Sequence, residues 1–109
     1  MIHKVVILEA AEQDLKEIRG YILKNFGKEA WLDSYAKIKD SINNLQAHPK
    51  SGTTPDELGC LNISQYRQVI SGHNRIIYEV RQKTVYVHII VDTRKDMKSL
   101  LTRRLLGAG

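Results

Sequence analysis

The sequence predicts an α+β fold, in which a helical hairpin packs on a small antiparallel β-sheet and a short helix follows at the C-terminus. Two observations carry this prediction. Apolar residues recur every three or four positions between residues 10 and 47, which is the period of helices, and they alternate between residues 66 and 92, which is the period of strands. The element order is β-α-α-β-β-β-α, and 109 residues fit a single domain over 1–109.

The first half of the chain predicts one strand and two helices. Residues 2–8 are rich in β-branched side chains and predict the strand. Residues 10–25 and 28–47 carry apolar side chains at helical spacing, and Gly27 between them is a helix stop. The two apolar stripes are Ala11, Leu15, Ile18 and Ile22, then Trp31, Tyr35, Ile38, Ile42 and Leu45. Two amphipathic helices joined by so short a turn predict an antiparallel hairpin.

The second half predicts a three-stranded meander and a last helix. Residues 51–56 are rich in turn-forming residues and predict a loop. The predicted strands and turns are residues 66–71, 72–74, 75–81, 82–83 and 84–92. Residues 96–106 place leucines and a methionine along one side, which predicts a short amphipathic helix.

Alternation separates the two faces of the predicted sheet. In the last strand, one apolar set is expected to pack under the helices: Val85, Val87, Ile89 and Val91. The opposite face is expected to be open and to carry Arg67, Arg75, Arg81, Tyr86 and His88. Arginine binds phosphates and carboxylates, and aromatic rings stack on bases, so this face predicts a binding surface. The alternative is an ordinary solvated face of a one-sided sheet.

The charge is concentrated in the second half. The chain carries 17 Lys and Arg against 12 Asp and Glu, a net charge of +5. Residues 61–109 hold nine basic and three acidic side chains, a balance of +6. This asymmetry predicts a polyanionic partner, either nucleic acid or an acidic protein segment. The alternative is a charge that serves solubility alone.

Cysteine and histidine usage indicates neither a disulfide nor a metal site. Cys60 is the only cysteine, and the four histidines show no paired ligand spacing. No metal and no cofactor are therefore expected. The apolar run at residues 5–8 is too short for a signal segment or a membrane span, so we expect a soluble cytoplasmic protein with no membrane partner.

An ordered series of short motifs runs through nearly the whole chain. In order they are Ala11-x2-Asp14-Leu15-x2-Ile18-x2-Tyr21, Asn25-Phe26-Gly27, Leu45-x3-Pro49-x2-Gly52, Tyr66-Arg67, Arg75-Ile76-Ile77-Tyr78-Glu79-Val80 and Arg94-Lys95-Asp96. The series resembles the RelE/ParE superfamily of toxins from bacterial type II toxin–antitoxin modules. The resemblance implies a growth-inhibiting, plasmid-stabilising toxin in a hetero-oligomer with an antitoxin, whose extended acidic C-terminal segment wraps it.

The superfamily divides by target. RelE-like members cut messenger RNA in the ribosomal A site, whereas ParE-like members inhibit DNA gyrase. If this chain is a nuclease, the resemblance implies that Arg67, Arg75 and Arg94 hold the scissile phosphate. The residues expected to bind the target or the antitoxin are Arg67, Arg75, Arg81, Tyr86, His88, Arg94 and Lys95.

The sequence departs from the RelE-like pattern at two places, and the missing tyrosine after Arg94, together with the long paired helices, favours the ParE-like branch. Val69 stands where RelE-like members carry a second basic residue, and no Tyr or His follows Arg94. RNA cleavage needs a proton-transfer group, for which His73, His88 and Tyr86 are the remaining candidates. We therefore expect a gyrase inhibitor. The alternatives are a ribosome-dependent mRNA endonuclease and a nontoxic homologue that only binds antitoxin.

Overall fold

The computed structural model describes residues 2–59 and 65–105. Along these residues the elements are β1 (Lys4–Ile7), α1 (Glu9–Asn25), α2 (Lys28–Asn44), α3 (Asp56–Gly59), β2 (Tyr66–Ser71), β3 (Asn74–Arg81), β4 (Thr84–Asp92) and α4 (Met97–Leu105). The predicted α+β fold and the order of its main elements are confirmed. The turn α3 is an addition, since it lies at the end of the predicted loop. Cys60, and Leu106 at the end of the predicted last helix, lie outside the described residues.

The four strands form one mixed sheet in the order β1-β4-β3-β2. The pairs β2–β3 and β3–β4 are antiparallel, as the meander predicts. By contrast, β1 runs parallel to β4, with Lys4 opposite Thr84. The sheet is therefore not wholly antiparallel: the hairpin connects β1 to β2 at the far edge of the sheet, and the meander then brings β4 back beside β1 in the same direction as β1.

A β-bulge in β4 reverses the predicted alternation. Tyr78 of β3 lies opposite Val87, but the preceding Ile77 lies opposite Ile89, which leaves His88 as an extra residue. Val87 therefore packs toward the hairpin, while Ile89 packs on the other face. The prediction that residues 85, 87, 89 and 91 share one face is wrong, because the extra residue shifts the pleat by one position.

Two apolar cores lie on opposite faces of the sheet. The core under the hairpin contains Ala11, Ile38, Ile42, Leu45, Ile76, Tyr78, Val85, Val87 and Ile90. The second core, under α3 and α4, contains Leu58, Tyr66, Ile77, Ile89, Met97 and Leu101. The face that the sequence predicts to be open is therefore covered in part by α4. This second core explains why α4 is amphipathic, because its apolar side packs on that face of the sheet.

The hairpin is largely exposed around its turn. Gly27 has φ +94° and its N–H donates to Ile22 O at 3.0 Å, so it ends α1 as predicted. In the apolar stripe predicted for α2, Ile38, Ile42 and Leu45 are buried. Tyr35 is 39% exposed and stacks on Trp31. Only the C-terminal half of the predicted stripe thus packs in the core, and α2 ends at residue 44 rather than 47.

Candidate functional site

A groove of about 1080 Å³ lies between the free end of the hairpin and one end of the sheet. We call it the hairpin groove. The hairpin wall carries the apolar side chains Ile18, Tyr21, Ile22 and Phe26 among charged ones, Asp14, Glu17, Asp33 and Lys37. The other wall consists of residues 71–74 and 90–95. Tyr21 and Phe26 contact each other edge to face and remain 51% and 67% exposed, so this wall presents aromatic surface to solvent.

The sheet side of the hairpin groove carries polar and cationic groups. Arg94 donates from Nε and Nη2 to the two carboxylate oxygens of Asp92, both at 3.0 Å. This pairing lowers the pKa of Asp92 and raises that of Arg94. Lys95 is exposed beside them. The Ser71 hydroxyl is buried on this wall and has no hydrogen-bond partner among the described residues.

Arg75 is held inside the protein. Its Nη1 and Nη2 donate to the two carboxylate oxygens of Glu57 at 3.1 and 3.0 Å, and Nε donates to Gln68 Oε1 at 2.8 Å. The Arg75 side chain is only 11% exposed. The Arg75 guanidinium lowers the pKa of Glu57. The Arg75 guanidinium is therefore bonded to groups within the chain, and in this position it does not face an external phosphate.

Arg67 lies on the face opposite Arg75, which corrects the prediction that they share a face. It has the same parity in β2 as Val69, whose side chain packs against the hairpin core. Its Nη1 donates to the carbonyl oxygens of Gly52 at 2.8 Å and Lys50 at 3.4 Å. Arg67 thus anchors the loop that follows α2.

The face with Arg75 also carries Arg81, Tyr86 and His88, as the alternation predicts. Glu79 lies on the same face. It is 5% exposed, and its carboxylate accepts a hydrogen bond from Arg81 Nε at 3.0 Å. His88 Nε2 lies 3.1 Å from the other carboxylate oxygen. The Arg81 guanidinium lies 5.9 Å from the Tyr86 ring centroid, and its hydrogen bond to Glu79 raises its pKa.

The sequence reasoning missed the two acids that hold these cations, Glu57 and Glu79. Glu79 offered a signal, because it follows the buried Tyr78 on the side with Arg81. Glu57 offered none, since it lies 18 positions from Arg75 and reaches it only through the fold. In the described part of the chain, no group of three His, Cys, Asp or Glu side chains could hold a metal ion. Nor is any described helix long and apolar enough to cross a membrane.

The hairpin, the four-stranded sheet and the terminal helix define a toxin of the RelE/ParE superfamily class. The family model for the ParE toxin of the type II toxin–antitoxin system parDE matches residues 5–97. The chain therefore belongs to the ParE toxin family. No curated protein sequence matches it significantly.

Solved structures show the same fold at low sequence identity. A chain of the chromosomal ParDE toxin–antitoxin system from P. aeruginosa is 17% identical, with a TM-score of 0.69 over 84% of this chain and 96% of that one. A chain of the toxin–antitoxin complex RelBE2 from Mycobacterium tuberculosis is 18% identical, with a TM-score of 0.58 over 84% and 99%. At these identities the similarity concerns the fold alone.

Proposed function

We propose that this ParE-family toxin arrests growth by docking on DNA gyrase rather than by cutting RNA. The separation of Arg67, Arg75 and Arg94 carries this proposal. RNA cleavage by the RelE-like route needs several cations around one phosphate. Here Arg67 and Arg75 project from opposite faces of the sheet, and each of the three is bonded within the chain. Inhibition by docking needs no such convergence.

One observation favours the alternative, a ribosome-dependent mRNA endonuclease. His73 and Arg94 both line the hairpin groove, so an imidazole and a guanidinium are present in one cavity. His73 could accept a proton from a 2′-hydroxyl if Arg94 held the adjacent phosphate. Arg94 is paired with Asp92, however, and would have to leave that carboxylate.

The hairpin groove is the proposed docking site for a cognate antitoxin. Its exposed aromatic wall, Tyr21 and Phe26, suits the apolar side chains of a peptide. Lys95 on the opposite wall suits a carboxylate of an acidic C-terminal segment, and Arg94 would bind another on leaving Asp92. Toxin and antitoxin would then form a hetero-oligomer in the cytoplasm, where both proposed targets lie.

A supercoiling assay with purified toxin tests the target. Micromolar toxin is expected to inhibit gyrase on relaxed plasmid, and His73→Gln is expected to inhibit equally because no proton transfer is involved. Primer extension on translated messages is expected to show no A-site cuts. A-site cuts that disappear in His73→Gln, with supercoiling unaffected by the wild type, would replace gyrase by the ribosome as target.

Calorimetry with the cognate antitoxin tests the groove. Phe26→Ala is expected to weaken binding at least about tenfold, since exposed aromatic anchors often dominate an interface. Leu32→Ala is the matched control, because Leu32 is 52% exposed and does not line the hairpin groove. Equal affinities for the two variants would exclude the groove as the docking site.

A further inference from the structure

The sheet ends in a cluster of basic residues on the side away from the hairpin groove. β1 begins at Lys4, β3 ends at Arg81, and both lie opposite or beside Thr84 at the start of β4. Lys83 precedes Thr84, and its carbonyl accepts from the Lys4 N–H at 3.0 Å. β2 also begins here, since Tyr66 lies opposite Glu79. One terminus of each of the four strands therefore lies at this end of the sheet.

The loop after α2 brings a further lysine to this edge. Gln46 O accepts from the His3 N–H at 2.7 Å, which places the loop beside the start of β1. The loop then passes Arg67, whose Nη1 donates to Lys50 O. We define the basic end as Lys4, Lys50, Arg67, Arg81 and Lys83. Lys4, Lys50 and Lys83 are exposed, and Arg81 is 67% exposed.

Among the strand termini that the structure describes, no exposed carboxylate offsets these charges. Glu79 is the one acid at these strand positions, and it is buried against Arg81 and His88. The hairpin groove differs, because its lining mixes both signs: Asp14, Glu17, Asp33 and Asp92 with Lys37, Arg94 and Lys95. Three of the nine basic residues of the second half, Arg67, Arg81 and Lys83, therefore lie at the basic end, where Lys4 and Lys50 from the first half join them.

The dimensions of the basic end match a nucleic-acid backbone. Four strands spaced about 4.8 Å apart span roughly 15 Å. Phosphates of one strand of a duplex repeat about every 3.4 Å measured along the helix axis, so an edge of this length faces more than one of them. Long, exposed lysines contact phosphates without reading bases. The Tyr86 ring beneath the Arg81 guanidinium limits the directions in which that cation points.

We propose that the basic end binds the phosphate backbone of duplex DNA without sequence preference, apart from the hairpin groove. The choice of DNA over other polyanions rests on the proposed gyrase target, because gyrase holds a DNA duplex. The toxin would then bind its antitoxin through one end of its sheet and DNA through the other.

Fluorescence anisotropy on a labelled 20-base-pair duplex, at 50 to 200 mM salt, tests this proposal. The variant Lys4→Gln/Lys50→Gln/Lys83→Gln removes three exposed charges from the basic end. Each lost phosphate contact is expected to reduce the slope of log K against log salt by about 0.9, hence by about 3 in total, with at least about tenfold weaker binding at the lowest salt. The matched control is Lys16→Gln/Lys24→Gln/Lys39→Gln, which removes the same charge from exposed helix faces.

Three results would overturn the proposal. They are no binding by the wild type at 50 mM salt, equal losses in the two triple variants, and tighter binding to single-stranded RNA of the same length. Circular dichroism melts are expected to agree among the three proteins, because the altered lysines are exposed. Supercoiling is measured separately: a toxin that inhibits gyrase but binds no DNA overturns only this inference. A toxin that binds DNA but leaves gyrase active overturns only the proposed target.

Discussion

Asp14 of α1 and Arg104 of α4 form a two-point ion pair, with Nη1 donating to Oδ1 and Nη2 to Oδ2, both at 3.0 Å. The two side chains are 16% and 21% exposed. They lie 90 positions apart in the chain, so this contact joins the first helix to the last. It holds α4 against the sheet face that alternation alone would leave open.

The same ion pair completes the exposed edge of β4. β1 ends opposite Val87, so within residues 2–59 and 65–105 the rest of β4 has no strand neighbour on that side. Arg104 Nη2 donates to the His88 carbonyl at 2.8 Å, and the Ile90 N–H donates to Asp14 Oδ2 at 3.1 Å. The bulge at His88 is thereby satisfied by side chains instead of by a strand.

Arg104→Gln is expected to lower the free energy of unfolding by about 1–3 kcal/mol, because it removes the charged partner of a largely buried carboxylate, which keeps only the Ile90 N–H, and the side-chain donor of the His88 carbonyl. Arg103→Gln is the control, since Arg103 is exposed on the same helix. Urea denaturation measures both. Hydrogen exchange is expected to be faster in α4 of Arg104→Gln alone, and unchanged exchange there would contradict a role of the pair in docking α4.

Gly52→Ala is expected to destabilise the protein by about 1–3 kcal/mol, since the new methyl would clash with the Gln68 carbonyl and lie 2.7 Å from Tyr78 Oη. The Gly52 N–H donates to that hydroxyl at 3.0 Å, so backbone movement would also break this bond. Gly20→Ala is the control, because its Cβ would meet nothing within 4 Å and helix propensity favours alanine by up to about 1 kcal/mol. Thermal melts are expected to shift in opposite directions.

Local pattern predicted most of the elements, whereas long-range contacts determined the site. The strands at 66–71 and 84–92 have the predicted bounds, because period-two alternation is a local property. The bulge is not local: His88 becomes the extra residue only through pairing with β3, and this moves Ile89 to the other face. Likewise, Arg75 is predicted as a free cation but is bound by Glu57, whose approach depends on where α3 packs.

Glu57→Gln is expected to reduce stability most at neutral pH and least in acid. Arg75 lowers the pKa of Glu57 in the folded protein below its ordinary value of 4.5. A lowered folded pKa stabilises the native state above pH 4.5, and this contribution is lost as the pH falls through the folded pKa. Urea denaturation of wild type and variant from pH 7 to pH 3 measures the difference, which should shrink below pH 4.5. A difference independent of pH would mean that the ionised carboxylate contributes nothing.

Leu101→Ala is expected to lower the free energy of unfolding by about 2–5 kcal/mol, because Leu101 is fully buried in the second core. Were the sheet face open, as alternation predicts, truncation of a leucine on a C-terminal helix would change stability little. Lys98→Ala, exposed on the same helix, is the control and is expected to stay within about 0.5 kcal/mol. Chemical denaturation of the two variants therefore decides whether α4 is part of the folded core. Equal free energies of unfolding for the two variants would show that packing of α4 on this face does not stabilise the protein.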